Sequence, residues 1–234
     1  MNHFSSIKTP ESVQKYAKNL RNNAEFGGMA IKCETTDSGI EVLLYGVIGD
    51  SYDGNDAATF AKTLGANPEA AVTLRINSPG GFAFDGLAIH NVLRDHKGAT
   101  TAIVESLAAS AASLIAMGAD TVHMQSNAIF HVHQSLTMAY GHQAEMAETL
   151  SWLQTLDESL AMTYADKTGI KMDEMRAILL GENGDGTKYS ADAALKAGFV
   201  DKVLSSTKKT TKPKNETDSR AKAWGHKMNL LKRR

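Results

Sequence analysis

The sequence predicts a layered α/β domain of parallel strands joined by crossover helices, with one long helix projecting from it. Two observations carry this. Short runs rich in β-branched residues alternate with helical patterns of about three turns, which suits crossover connections and hence parallel strands. Then a single long amphipathic stretch, residues 142–167, stands apart from the alternation, with Met146, Leu150, Leu153, Leu156, Leu160 and Tyr164 forming an apolar stripe. That stripe reads as core or subunit interface rather than as a ligand site.

The elements follow in order. Residues 9–22 open with Thr9, Pro10 and Glu11, an N-cap, a first-turn proline and an early acid, and continue with Val13, Tyr16, Ala17 and Leu20 at helical spacing. Gly27-Gly28 ends that helix, and Ile40 to Ile48 reads as a strand closed by Gly49-Asp50. Residues 54–65 are expected as helix, 71–76 as strand, 84–95 as helix, 100–104 as strand, 110–117 as helix and 129–133 as strand. The organisation implied is an N-terminal helical extension over 1–26, a catalytic-sized body over 27–204 and a polar, Lys-rich tail over 205–234 that composition predicts to be disordered.

Composition narrows the class. With 234 residues, 42% hydrophobic and a formal net charge of −1, nothing in the overall balance points to nucleic acid or to a membrane surface. The charge is uneven, because residues 205–234 hold ten Lys or Arg against Glu216 and Asp218. Cys33 is the only cysteine, which excludes an internal disulfide and any CxxC metal or redox motif and fits a reducing compartment. No basic-then-apolar leader opens the sequence, and its apolar runs stop well short of the ~18 residues a membrane span needs. A cytoplasmic protein is the expectation.

Three segments carry chemistry. Arg75 to Gly81 (RINSPGG) ends a strand, and its paired glycines can take positive φ and bring backbone N–H groups into a cleft; the same pair also suits a tight turn. Val104 to Ser113 (VESLAASAAS) runs from strand into a helix of small residues, where a serine would meet unpaired N–H groups at the helix start. Ser110 sits at that junction, and Ser106 and Ser113 fit the same loose argument. Close helix packing is the plainer explanation of such small residues. The third segment, Phe130 to Gln134 (FHVHQ), places His131 and His133 two apart on a strand and so on one side of it. The two histidines suit either a metal pair or a single general base; no acidic or cysteine partner lies close enough in sequence to complete an obvious metal site.

Together these segments resemble the Clp proteolytic-subunit family, most of all its phage-type members that act as head maturation proteases. The likeness runs from about Glu41 to Val203. It is carried by Ile76 to Gly81 (INSPGG), Phe84 to Ile89 (FDGLAI), Ala108-Ala109-Ser110, His133-Gln134, Tyr189-Ser190-Ala191 and Gly198 to Asp201 (GFVD). The resemblance implies a ClpP/crotonase-like layered fold and a Ser-His-Asp serine endopeptidase needing no metal or organic cofactor. It places the nucleophile on Ser110, the base on His133 and the oxyanion donors on the N–H groups of Gly81 and Ala111. The family's acid falls by strict counting on Gly186; Asp185, one residue away in the turn 183–187, is assigned the role, with Glu182 in reserve.

The resemblance also implies partners: copies of itself in a ring, with family members often forming two stacked rings whose contact would lie along 142–167, and protein substrates. For a phage-type enzyme these would be capsid or scaffold proteins in the host cytoplasm or prohead, and the basic tail would suit attachment there. A housekeeping subunit would instead be fed by an ATP-driven AAA+ unfoldase. Two further readings compete. Enoyl-CoA hydratases and isomerases share the fold and the paired N–H oxyanion hole but usually rely on carboxylates, which the Ser110–His133 pairing argues against. A non-catalytic head component of the same fold is kept open by the departure at Gly186.

Overall fold

The computed structural model describes residues 31–36, 39–49 and 55–205. The helix expected over 9–22 and the tail from residue 206 lie outside the described residues. In chain order the elements are β1 (Lys32–Thr36), β2 (Gly39–Ile48), α1 (Ala57–Gly65), β3 (Val72–Gly81), α2 (Ala83–Arg94), β4 (Thr100–Ala109) and α3 (Ala111–Ala116). There follow β5 (Thr121–Gln125), β6 (Ile129–Val132), α4 (Gln143–Thr168), α5 (Met172–Leu180), β7 (Thr187–Ser190), α6 (Ala191–Lys196) and β8 (Lys202–Leu204).

The sheet runs β1-β2-β3-β4-β5-β8. All of its neighbours are parallel except the β1–β2 hairpin, as the alternation of strands and helices predicts. Strand β4 forks. Its first half, Thr101 to Val104, pairs with β5, while Leu107 to Ala109 pairs with β6, and β7 lies antiparallel to β6. The fork brings the serine-bearing end of β4 beside the histidine-bearing β6.

One face of the sheet is the core. Ile40, Val42, Leu44 and Ile48 on β2, Val72, Leu74 and Ile76 on β3, and Ala102, Val104 and Ala108 on β4 are buried at alternate positions. The helix α3 is buried along its whole length, its alanines and Ser113 allowing close approach while Leu114 and Ile115 fill the core. A Cβ placed on Gly86 of α2 would sit 2.8 Å from Ala111 Cβ, so glycine there is what lets the two helices meet. Phe199 closes the far end of the core, its ring 5.5 Å from Phe130 of β6, 5.0 Å from Tyr189 of β7 and 6.0 Å from Tyr164 of α4. The long helix is buried only near its C-terminal end, at Leu160, Ala161 and Tyr164, so its N-terminal part projects as expected.

The strands β3 and β4 reach five residues beyond the expected ends at 76 and 104, because pairing continues past the apolar run. Val47 and Ile48 pair with Gly80 and Gly81, and Ser78 with Ala108, after register shifts in both ladders. Buried Ser78 stitches the shift: its hydroxyl donates to the Gly46 carbonyl at 2.6 Å and accepts from the Gly80 N–H at 3.0 Å.

Candidate active site

Of the residues singled out in the sequence, Gly80, Gly81, Ser110, Ala111, His131 and His133 line one cavity of about 850 Å³. Its opposite wall is α4, which contributes Thr149, Trp152, Leu153, Leu156, Leu160 and Tyr164. The apolar stripe on the long helix therefore faces the site as well as the core, which its reading as core or interface did not include.

Ser110 stands at the turn from β4 into α3, with φ 55° and ψ −128°, and is the one non-glycine residue at positive φ among the described residues. Such a conformation costs about 1–3 kcal/mol and persists only where its surroundings enforce it. The enforcement is visible. The Ser110 N–H donates to the His131 carbonyl at 3.0 Å, and the Ser110 carbonyl accepts from the N–H groups of Ser113 at 2.9 Å and Leu114 at 3.2 Å. Gly80, at φ 94°, lies so close that an added Cβ would be 2.6 Å from Ser110 Cβ. The sharp strand-to-helix turn holds the hydroxyl out of the core and into the cavity.

The other two serines are placed differently. Ser106 is exposed on β4 and does not line the cavity. Ser113 is buried, with its Oγ 2.7 Å from the Ser110 carbonyl, 2.9 Å from the His131 carbonyl and 2.8 Å from the Tyr164 hydroxyl.

Both histidines line the cavity, with ring centroids 5.1 Å apart, as alternate positions on a strand allow. The His133 Nδ1 faces the Gln134 carbonyl at 2.5 Å, and the segment beyond it is pinned by Gln134 N–H to the Leu179 carbonyl and by Ser135 to the Asp157 carboxylate. His131 Nε2 donates to the Asp185 carbonyl at 2.8 Å. Burial pulls the His131 pKa down, only partly countered by that hydrogen bond. Among the described residues no group of three or more His, Cys, Asp or Glu side chains could hold a metal ion.

The acid candidates stand at the site's edge. The turn carrying Asp185 packs against His133: an added Cβ on Gly186 would lie 2.0 Å from the Val132 carbonyl oxygen and 2.4 Å from His133 Cβ. That contact leaves no room for a side chain at the strictly counted position. The Asp185 carboxylate is paired with Lys188 at 2.7 Å, which lowers its pKa, and among the described residues no hydrogen bond joins it to His133. Glu182 is exposed in the same turn. Among the described residues, likewise, no hydrogen bond joins Ser110 Oγ to His133.

Ala111 supplies the first N–H of α3, which has no partner within the helix and lies next to Ser110. With the glycine pair opposite, the cavity combines a strained serine, an imidazole and backbone donors, the parts needed for acyl transfer.

The Clp protease family model matches residues 42–207. The chain belongs to the Clp protease family. It is 30% identical over 177 residues to an ATP-dependent Clp protease proteolytic subunit of Leuconostoc citreum (strain KM20), a match covering 73% of this chain and 86% of that protein. Membership makes the chain a serine-type peptidase, a hydrolase. Among the described residues no helix is long and apolar enough to cross a membrane.

Two parts of this Clp-family site were missed in the sequence: the linked hydroxyls of Ser113 and Tyr164, and the anchoring of Ser135 on Asp157. Neither has a local signal, since their partners lie 51 and 22 residues away.

Proposed function

We propose that this chain is a serine endopeptidase that cleaves protein substrates through an acyl-enzyme, with Ser110 as nucleophile and His133 as general base. One observation carries the reading: Ser110, the strained residue at the strand-to-helix turn, opens on the same cavity as His133 and the glycine pair. His133 takes the Ser110 proton as Oγ attacks the peptide carbonyl, and the N–H groups of Gly81 and Ala111 receive the developing oxyanion. His133 then gives its proton to the leaving amine, and water, deprotonated by the same ring, releases the acid. Asp185 is the proposed third member; in that role its carboxylate leaves Lys188 and replaces the Gln134 carbonyl as the acceptor for His133 Nδ1, holding the tautomer and stabilising the imidazolium.

In this reading the peptidase is a ring-forming homo-oligomer that matures phage heads, acting on capsid or scaffold proteins in the host cytoplasm or prohead. The phage-like segments Phe82 to Gly86 and Asp185 to Thr187 support that role. A second reading, a proteolytic subunit served by an ATP-driven unfoldase, is favoured by the name of the Leuconostoc relative.

Labelling with a fluorophosphonate probe, followed by intact mass, tests the mechanism. Wild type is expected to gain one adduct at Ser110 and Ser110→Ala none; a wild type that never reacts in any assembled state refutes it. Digestion of an unstructured protein without nucleotide separates the two roles, since a subunit that depends on an unfoldase leaves that protein intact.

A further inference from the structure

We propose that Tyr164 and Ser113 are positioning residues for Ser110, forming a buried hydroxyl relay that holds the strained nucleophile turn to the long helix. The proposal rests on the reading of Ser110 as nucleophile. Two carbonyls compete for the single Ser113 proton: that of Ser110, at 2.7 Å, and that of His131, at 2.9 Å. The His131 carbonyl is also the acceptor for the Ser110 N–H. Ser113 Oγ thus sits between the peptide that follows the nucleophile and the strand that carries the histidines.

A hydroxyl has one proton and two lone pairs, so Ser113 gives its proton to a carbonyl and accepts from Tyr164, 2.8 Å away. Burial raises the pKa of Tyr164, so the phenol remains a proton donor throughout the working range of pH. The order is Tyr164 O–H to Ser113 Oγ, and Ser113 O–H to the Ser110 carbonyl. Both hydroxyl-bearing residues are buried: Ser113 is 0% and Tyr164 2% exposed. The same helix face that ends at Tyr164 also presents Leu156 and Leu160 to the cavity. One element therefore forms the substrate wall and holds the nucleophile turn.

A buried tyrosine hydroxyl needs a partner in any case, so a purely structural bond would cost stability and leave the chemistry alone. The two roles separate in the kinetics of phosphonylation by a fluorophosphonate, in which Oγ attacks phosphorus and fluoride leaves, using the full-length chain as wild type, Tyr164→Phe, Ser113→Ala, Ser113→Thr and Ser110→Ala. Tyr164→Phe keeps the ring that packs edge-on against Phe199, so the fold is retained. Small misplacements of a reacting group cost up to about 100-fold in rate. The expected result is a roughly 10–100-fold lower maximal phosphonylation rate in Tyr164→Phe and Ser113→Ala, read well below their melting temperatures, with the half-saturating probe concentration unchanged. Ser113→Thr, which keeps the hydroxyl, is expected to recover most of the rate. Lower melting temperatures with an unchanged maximal rate in both variants would overturn the proposal alone. A wild type that labels no more than Ser110→Ala would remove the nucleophile reading, and this proposal with it.

Discussion

Replacing Gly186 by alanine isolates the contact between the turn 183–187 and the proposed catalytic histidine. The new Cβ would lie 2.0 Å from the Val132 carbonyl oxygen and 2.4 Å from His133 Cβ, at a backbone φ of 76°. The positive φ costs about 1–2 kcal/mol for a residue with a Cβ, and forcing a methyl into filled space adds about 1–3 kcal/mol. Gly184, two residues earlier, has nearly the same φ, 78°, with nothing within 4 Å of an added Cβ. Gly184→Ala carries the first cost without the second. The two variants are expected to differ by about 1–3 kcal/mol, or roughly 2–12 °C in melting temperature for a domain of this size. Scanning calorimetry measures the difference, and the rate of fluorophosphonate labelling follows the site. Gly186→Ala should also label more slowly, because relief of the clash moves His133. Equal melting temperatures and equal labelling rates for the two variants would refute the claim that this turn is packed on the histidine.

Other outcomes follow from the same geometry. Asp185→Asn is expected to slow labelling by about 100-fold or more through loss of the tautomer-holding carboxylate. Glu182→Gln should leave the rate as it is, and the reverse pattern would move the acid to Glu182. Phe199→Ala removes the ring shared by Phe130, Tyr164 and Tyr189 and should destabilise the fold by about 3–5 kcal/mol, read as a lower urea midpoint. His90 and His131 are both held below their ordinary pKa of 6.5 by burial, so at pH near and below that value the unfolded chain binds protons that the native chain refuses. Their contribution to stability is therefore present above about pH 6.5 and falls as the pH drops toward their native pKa values. Urea unfolding between pH 5 and 7.5 should show that slope, and His131→Gln should flatten it; an unchanged slope would place His131 in contact with water.

What the sequence determined by itself was everything that depends on local period and steric demand. The apolar run from Ile40 to Ile48, closed by Gly49-Asp50, announced a strand, the stripe from Met146 to Tyr164 announced a long helix, Gly80-Gly81 announced a tight turn, and Ser110 a strand-to-helix junction. The strands β1, β5, β7 and β8 went unread: each is five residues or fewer, and a strand that short is fixed mainly by the neighbour it pairs with. The helix α5 was legible and overlooked: its buried Met175 and Leu179 are spaced four apart.

The tertiary structure alone decided which of the candidate groups meet. Ser106, Ser110 and Ser113 are alike in the sequence; the fork in β4 and the positive φ at Ser110 put one on the cavity, leave one exposed and turn one into a buried link to Tyr164. Asp185 and Gly186 differ by one position, and only the contact with Val132 and His133 shows why the second must be glycine. Local pattern reflects the energy of neighbours along the chain, whereas a site is assembled from residues such as Ser113 and Tyr164, 51 positions apart, whose attraction exists only once the chain is closed.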